Sequence, residues 1–390
     1  MGPYSIVIIG ASFGGIPAAH GLLRDVLPAI PALREQSYNV TLISPSSYFY
    51  WKVGSPRTIV NPAALPIEKV LLPIADGFKA YPKEHFEFVQ AYATAIDHAT
   101  KTVELSTDDG KTSRITYDSL VIASGTTSAS PLWTLSKGSD ALLAALKAVH
   151  ARLPRASSVL VAGGGPAGVE TAGELGQTYG GGKKEVTLLS GSSRLLPRLK
   201  NAAVGKDAEA RLAKQGVKVV HGVKVTGVDE AADGGKTTVT LDNGTKMVVD
   251  VYIDATGELP NNKFIPETWL DARGYVKTDS QTLRLDVPGA KRVYCIGSAG
   301  SYSNGGLLDV KFAGKALLES IELDIIEQHP AKRKNIYKRI TETDMQFVPI
   351  GSTQGVGAVF GYKLPSFVIR QVKSKDFMIG NAPKLVAGTG

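Results

Sequence analysis

The sequence predicts an α/β fold of two Rossmann-like units, the second nested in the first, followed by a small C-terminal α+β segment. Two glycine-rich turns, each set between a β-branched run and a helical pattern, predict the units. Two further strands that end in small residues, one before and one after the second turn, predict the nesting. With 390 residues, 43% of them hydrophobic and 21% charged, the chain can bury two or three domain cores and has an ordinary globular composition. No apolar run reaches the roughly 18 residues that a membrane-spanning helix needs.

The first unit opens on Tyr4-Ser-Ile-Val-Ile-Ile9, a strand that runs into Gly10-Ala-Ser-Phe-Gly-Gly15, a helix to about Asp25 and a strand over Asn39 to Ile43. The same order returns at Ser158-Val-Leu-Val-Ala162, Gly163-Gly-Gly-Pro-Ala-Gly168, a helix through about Thr178 and a strand over Glu185 to Leu189. In such a turn the first glycine lets the chain leave the strand sharply. The second lets backbone N–H groups approach a pyrophosphate, and the third lets the helix pack on the strand. The second turn has all three, at Gly163, Gly165 and Gly168; the first has Gly10, Gly14 and Gly15 but Ser12 in the middle. Tyr117 to Gly125 and Val249 to Gly257 each read as a strand ending in a small-residue turn. They divide the chain into 1–125, 126–257, 258–330 and 331–390. Asp242-Asn243-Gly244 and Asp108-Asp109-Gly110 read as hairpin turns.

The net charge of +8 is unevenly placed. Beyond residue 329, ten basic residues (Lys332, Arg333, Lys334, Lys338, Arg339, Lys363, Arg370, Lys373, Lys375, Lys384) face three acidic ones (Glu342, Asp344, Asp376). This segment reads either as a solvated surface or as a contact for anionic lipid or an acidic partner. No nucleic-acid-reading element is recognisable. The single cysteine, Cys295, excludes an internal disulfide, a cysteine zinc site and a two-thiol relay, and suits a reducing, cytoplasmic setting. The N-terminal MGPYSIVII has neither a secretory pattern nor a myristoylation signal, so no lipid anchor is expected there. The six histidines (His20, His85, His98, His150, His221, His329) are scattered and predict no metal site.

Together with Ala123-Ser124-Gly125, Ala255-Thr256-Gly257, Val293-Tyr-Cys-Ile-Gly297 and the tail segments Gly351-Ser-Thr-Gln-Gly-Val-Gly357 and Val372-Lys-Ser-Lys-Asp-Phe377, these turns carry a resemblance over nearly the whole chain. The sequence resembles the two-dinucleotide-binding-domain flavoproteins, in particular the apoptosis-inducing-factor-like, ferroptosis-suppressor type NAD(P)H:quinone oxidoreductases, in a fungal-like branch. The resemblance implies FAD in the first unit (1–125 and 258–330) and NAD(P)H in the nested one. It also implies hydride transfer through flavin to a quinone-like or other small organic acceptor, in a monomer or homodimer. Gly10, Ser12, Gly14, Gly15, Ser44, Arg57, Ser124, Gly125, Gly257, Gly297 and Ser298 would then frame FAD. Gly163, Gly165, Gly168, Ser190 and Arg194 would frame NAD(P)H, with Lys52 and Glu170 as the candidate catalytic residues.

Three positions depart from that family pattern. Ser12 stands for its middle glycine, Ser44 for an Asp or Glu at the strand end, and Ser298 for an Asp beside Gly297. Exchanging two charge-assisted hydrogen bonds for neutral ones costs FAD roughly one to three orders of magnitude in affinity. Either each serine keeps one bond and FAD remains, or the pocket has lost FAD and serves a non-redox reaction (cyclisation or isomerisation) or binding alone. At the nested strand end, Ser190 with Ser192 and Arg194 can accept a 2′-phosphate, which favours NADPH slightly; an ordinary polar loop is the other reading. Tyr48-Phe-Tyr-Trp51 reads as alternating core residues or as a wall for a planar ring, with Lys52 or Arg57 beside it.

Overall fold

A computed structural model describes residues 2–231, 235–326 and 344–390. The chain opens with β1 (Tyr4–Ile9), α1 (Gly15–Gly21), β2 (Tyr38–Ser44), α2 (Ser55–Val60) and β3 (Phe86–Gln90). An antiparallel meander of β4 (Tyr92–Asp97), β5 (Thr102–Ser106) and β6 (Thr112–Thr116) leads to β7 (Ser119–Ile122) and to β8 (Thr126–Thr127). After α3 (Gly138–Arg152) come β9 (Ser158–Ala162), α4 (Pro166–Tyr179), β10 (Glu185–Ser190), α5 (Ala202–Lys214) and β11 (Val217–His221). A second antiparallel meander, β12 (Val225–Glu230), β13 (Thr237–Leu241) and β14 (Lys246–Val249), precedes β15 (Val251–Asp254) and β16 (Leu259–Pro260). The chain then supplies β17 (Val293–Cys295), α6 (Leu307–Ile325), the small sheet β18 (Gln346–Pro349), β19 (Gly355–Val359) and β20 (Tyr362–Lys363), and the short helices α7 (Ser366–Ile369) and α8 (Asn381–Val386).

Two parallel sheets organise these elements. The first has the order β17-β7-β1-β2-β3 and the second β11-β10-β9-β15. Because β17 rejoins the first sheet after β15 has closed the second, the second sheet is an insertion in the first. The strands are apolar on both faces, as strands covered on both sides must be. Alternation sorts them: Ile6 and Ile8 enter one core while Val7 and Ile9 enter another, and Val159 and Val161 part from Leu160 in the same way. The two-stranded ladder of β8 and β16 ties the entry to the nested sheet to its exit.

Both hairpin turns are present, β5–β6 at Gly110 (φ +80°) and β13–β14 at Gly244 (φ +81°). Cys295 is buried in β17, and burial pushes its thiol up to about 12 although Thr278 pulls the other way. Five of the ten C-terminal basic residues, Lys332, Arg333, Lys334, Lys338 and Arg339, lie outside the described residues, as does His329. Among the described residues no helix is long and apolar enough to cross a membrane, and no group of His, Cys, Asp or Glu forms a metal site.

Candidate functional site

Each parallel sheet reverses its strand order beside its first strand, and the glycine turns sit at those two reversals. The local bonding is the same twice over. Gly10 N–H donates to Ile43 O and Ala123 N–H to Ile9 O, both 2.8 Å; Gly163 N–H donates to Leu189 O (2.8 Å) and Ala255 N–H to Ala162 O (2.7 Å). Gly10 (φ +111°) and Gly163 (φ +127°) lie in backbone territory that side chains avoid, and a Cβ on either would strike the carbonyl of Ala123 or Ala255. Gly15 and Gly168 press on the carbonyls of Gly10 and Gly163, which fixes each helix against its strand. Gly165 is different: a Cβ there meets nothing within 4 Å and points into open cavity. Ser12 holds the equivalent place in the first turn, since Ile16 N–H bonds to Ser12 O (3.1 Å) as Val169 N–H bonds to Gly165 O (3.0 Å). The Ser12 hydroxyl has no hydrogen bond among the described residues.

A single cavity of about 2000 Å³ runs past both turns. That is well above the roughly 300–1,000 Å³ of a pocket for one drug-sized ligand. Gly10, Ser12, Gly14, Ser44, Lys52, Ser124, Gly125, Gly163, Gly165, Glu170, Ser190, Gly257, Gly297 and Ser298 all line it. Ser44 spends its hydroxyl on the N–H of Ser46 (3.3 Å), and Ser124 donates to Asn261 O (2.9 Å). Ser298 joins a polar chain that crosses the cavity wall. Its hydroxyl pairs with Thr126 Oγ1 (3.2 Å), Thr126 donates to Glu258 Oε2 (2.5 Å), and Lys52 Nζ donates to Glu258 Oε1 (3.0 Å). Burial would raise Glu258, but Lys52 and Thr126 outweigh it and hold the carboxyl below its usual range.

Of the residues placed at cofactors by sequence, Gly15 and Gly168 pack inside their turns without lining the cavity, and two arginines, Arg57 and Arg194, do not line it either. Arg57, on α2, is 4% exposed. It grips Glu174 of α4 with two bonds (3.0 and 2.8 Å) and donates to the carbonyls of Lys375 and Ser374 at 2.8 Å each, with its guanidinium over the Phe377 ring. Arg194 turns inward and donates to Pro197 O (2.9 Å) and Leu199 O (2.7 Å). The four aromatic residues divide unevenly: Phe49, Tyr50 and Trp51 are buried and Tyr48 is exposed, while Tyr48 and Tyr50 line the cavity.

Glu170, on the second turn of α4, is 3% exposed and takes a 2.6 Å bond from Lys373 Nζ. Lys373 also donates to Phe347 O (3.2 Å), and it lines the cavity with Glu170. Burial pushes the Glu170 carboxyl up to about 7 despite the opposing pull of Lys373. Since 7 lies above the ordinary 4.5, the stability this group contributes is full below about pH 4.5 and is lost as pH rises through about 7. The melting temperature of wild type is therefore expected to fall between about pH 5 and pH 8 more steeply than that of Glu170→Gln; parallel profiles would refute the assignment. Sequence reasoning missed Lys373, Glu258 and Thr126. Lys373 lies 203 residues from its partner, and the tail motif that contains it does not disclose that pairing.

The comparisons with known proteins agree with this geometry. A profile described as pyridine nucleotide-disulphide oxidoreductase matches residues 4–307. "Oxidoreductase phnG" of Penicillium herquei is 34% identical over 98% of this chain and 96% of its own length. "Oxidoreductase ptaL" of Pestalotiopsis fici is 36% identical over 98% of this chain and 99% of its own. "Ferroptosis suppressor protein 1" of Homo sapiens is 24% identical, covering 98% and 96%. In fold the chain is similar to the sulfide:quinone oxidoreductase of Aquifex aeolicus, with a TM-score of 0.74 at 17% identity, covering 99% of this chain and 92% of that one. The chain belongs to the pyridine nucleotide-disulphide oxidoreductase family, an oxidoreductase type built for hydride transfer, here without a second cysteine to form the disulphide of the family's name.

Proposed function

We propose that the protein passes a hydride from NAD(P)H, held by the nested unit, to FAD, held by the first, and then electrons to a quinone-like or other small organic acceptor. The finer placement with the ferroptosis-suppressor type belongs to the same proposal. The observation that carries it is the pair of equivalent glycine turns at two sheet reversals of one cavity. The residues fit: Gly165 leaves the space a pyrophosphate fills, Gly10 and Gly14 open the first turn, and Ser298, Ser124 and Gly125 lie beside it. Bound flavin supplies the redox chemistry, accepting a hydride and passing on electrons. The chain's own part is to hold two rings together, exclude water and manage a proton. The Glu170 carboxyl, near 7 and bonded to Lys373 Nζ, is suited to hold or release that proton at the cavity wall. With Cys295 alone and buried, no dithiol intervenes between flavin and acceptor.

The test is the visible flavin absorbance of the purified protein, with bleaching on addition of NADH or NADPH. A yellow protein that bleaches supports the proposal. A colourless protein that takes up no FAD overturns it and leaves the second reading, a flavin-free scaffold for a non-redox reaction or for binding. The Ser12 side chain, standing where the nested turn is empty, is the observation that favours this second reading.

We further propose peripheral contact with an anionic membrane through the basic C-terminal segment. Tyr362 (80% exposed), Phe367 (69%) and Phe360 (59%) stand out to solvent, and Arg370 and Lys375 are exposed in the same segment. Replacing the three aromatics with serine is expected to abolish co-flotation with anionic liposomes; undiminished flotation would refute this role.

A further inference from the structure

In the nested unit, the end of β10 is where the adenosine half of a coenzyme would lie. Ser190 ends β10 and is buried beneath Gly164, where a Cβ would run into its hydroxyl. That hydroxyl is taken up by its own loop: it bonds to Ser192 O (3.1 Å) and Arg194 O (3.3 Å) and accepts from Ser192 N–H (3.3 Å). Arg194 spends its guanidinium on Pro197 and Leu199 carbonyls and does not line the cavity. Neither residue, then, is free to meet a ligand phosphate.

The adjoining strand presents another cation. Gly222 N–H bonds to Ser192 O and Val223 N–H to Ser190 O, both 3.3 Å, so the segment after β11 is stitched to the loop after β10. Lys224 follows, exposed and lining the cavity. Its methylene chain lies along Gly191: a Cβ there would come within 3.1 Å of Lys224 Cγ and 3.4 Å of Cε. Glycine at 191 is thus what lets the lysine lie across the strand end, with its ammonium carried to the rim. Asp242 binds the Lys224 backbone N–H (3.1 Å), and among the described residues no carboxylate pairs with the ammonium. Of the other cations that line the cavity, Lys52 is paired with Glu258 (3.0 Å), Lys373 with Glu170 (2.6 Å) and Arg273 with Asp271 (3.1 Å), and Arg198 donates to Asn304 O (3.5 Å).

A pyrophosphate at Gly163 to Gly165, at the N-terminus of the fourteen-residue α4, directs the adenosine ribose towards the end of β10. No acidic residue lies on the loop 190–194 to repel a 2′-phosphate. We propose that Lys224, laid over Gly191, is the residue that recognises the 2′-phosphate of NADPH, in place of Ser190 and Arg194. An unpartnered ammonium offers three donors to a phosphate dianion and little to a ribose hydroxyl. The inference rests on the reading that the nested unit takes NAD(P)H.

The test uses the full-length protein and calorimetric binding of adenosine 2′,5′-bisphosphate and of AMP, fragments that differ only in the 2′-phosphate. Wild type is expected to prefer the bisphosphate by about tenfold or more. Lys224→Ala should lose that preference with AMP affinity unchanged, Lys224→Arg should keep it, and Lys224→Glu should reverse it. Equal binding of the two fragments by wild type, or a preference that survives Lys224→Ala, overturns the role of Lys224 while leaving the coenzyme site in place. Failure of AMP, NADH and NADPH alike to bind would instead overturn the coenzyme reading beneath it.

Discussion

An Arg57→Ala variant is expected to unfold at a markedly lower urea concentration than wild type, having lost about 3–5 kcal/mol of stability. The reason is the carboxylate left behind. Glu174 is 2% exposed and takes two bonds from Arg57, so removing the guanidinium strands a buried charge. The carbonyls of Ser374 and Lys375 lose their donor in the same step. Replacing both partners with apolar residues of similar volume, Arg57→Met with Glu174→Leu, should recover most of the loss, because the penalty belongs to the unpaired charge and not to the missing attraction. A single-variant loss below about 1 kcal/mol would show that the pair is dispensable. Nucleotide affinity per folded molecule should not change in either variant, since neither Arg57 nor Glu174 lines the cavity.

On the proposed coenzyme assignment, Gly163→Val is expected to weaken nucleotide binding by about tenfold to a hundredfold while the first turn is left intact. Valine at φ +127° is strained by about 1–3 kcal/mol, and its Cβ would collide with the Ala255 carbonyl at the end of β15. Relieving that collision means separating the turn from the neighbouring strand, which displaces the N–H groups at the start of α4. Titration of nucleotide against the variant measures the effect, and unchanged affinity would show that the turn does not hold the coenzyme. The contrast with Gly165→Ala is informative, because alanine at 165 meets nothing in the protein. Any loss of affinity there comes from the ligand's own space.

The fold was legible because its rules are local. A β-branched run, a glycine turn and a helical pattern are contiguous, and each occurs twice, so Tyr4 to Asp25 and Ser158 to Thr178 announce two βαβ units without knowledge of any distant contact. Asp242-Asn243-Gly244 announces its hairpin for the same reason, since a tight turn of that kind needs φ > 0. What the sequence does not disclose is which partner a long polar side chain takes in the fold. Arg57 stands beside an aromatic segment and looks available, yet Glu174 and the carbonyls beyond residue 373 claim it. Arg194 looks like a phosphate ligand, yet it folds back on its own loop. The roles of Lys373 and Glu258 come from Glu170 and Lys52, which only the folded chain brings near. Backbone geometry can be read from neighbours; the fate of a flexible charged side chain cannot.

The C-terminal segment matters beyond its charge. Arg57 of the first unit, Glu170 and Glu174 of the nested helix, and Ser374, Lys375 and Lys373 of the tail meet in one buried knot, and Trp51 Nε1 adds a bond to Phe377 O at 2.9 Å. Gly173 of α4 lies so close to Ile350 that a Cβ would sit 2.7 Å from its Cα. The tail therefore works as a rivet through two leaves that would otherwise swing on the two-stranded ladder of β8 and β16. With that rivet in place, heat should release both units in one cooperative transition rather than two.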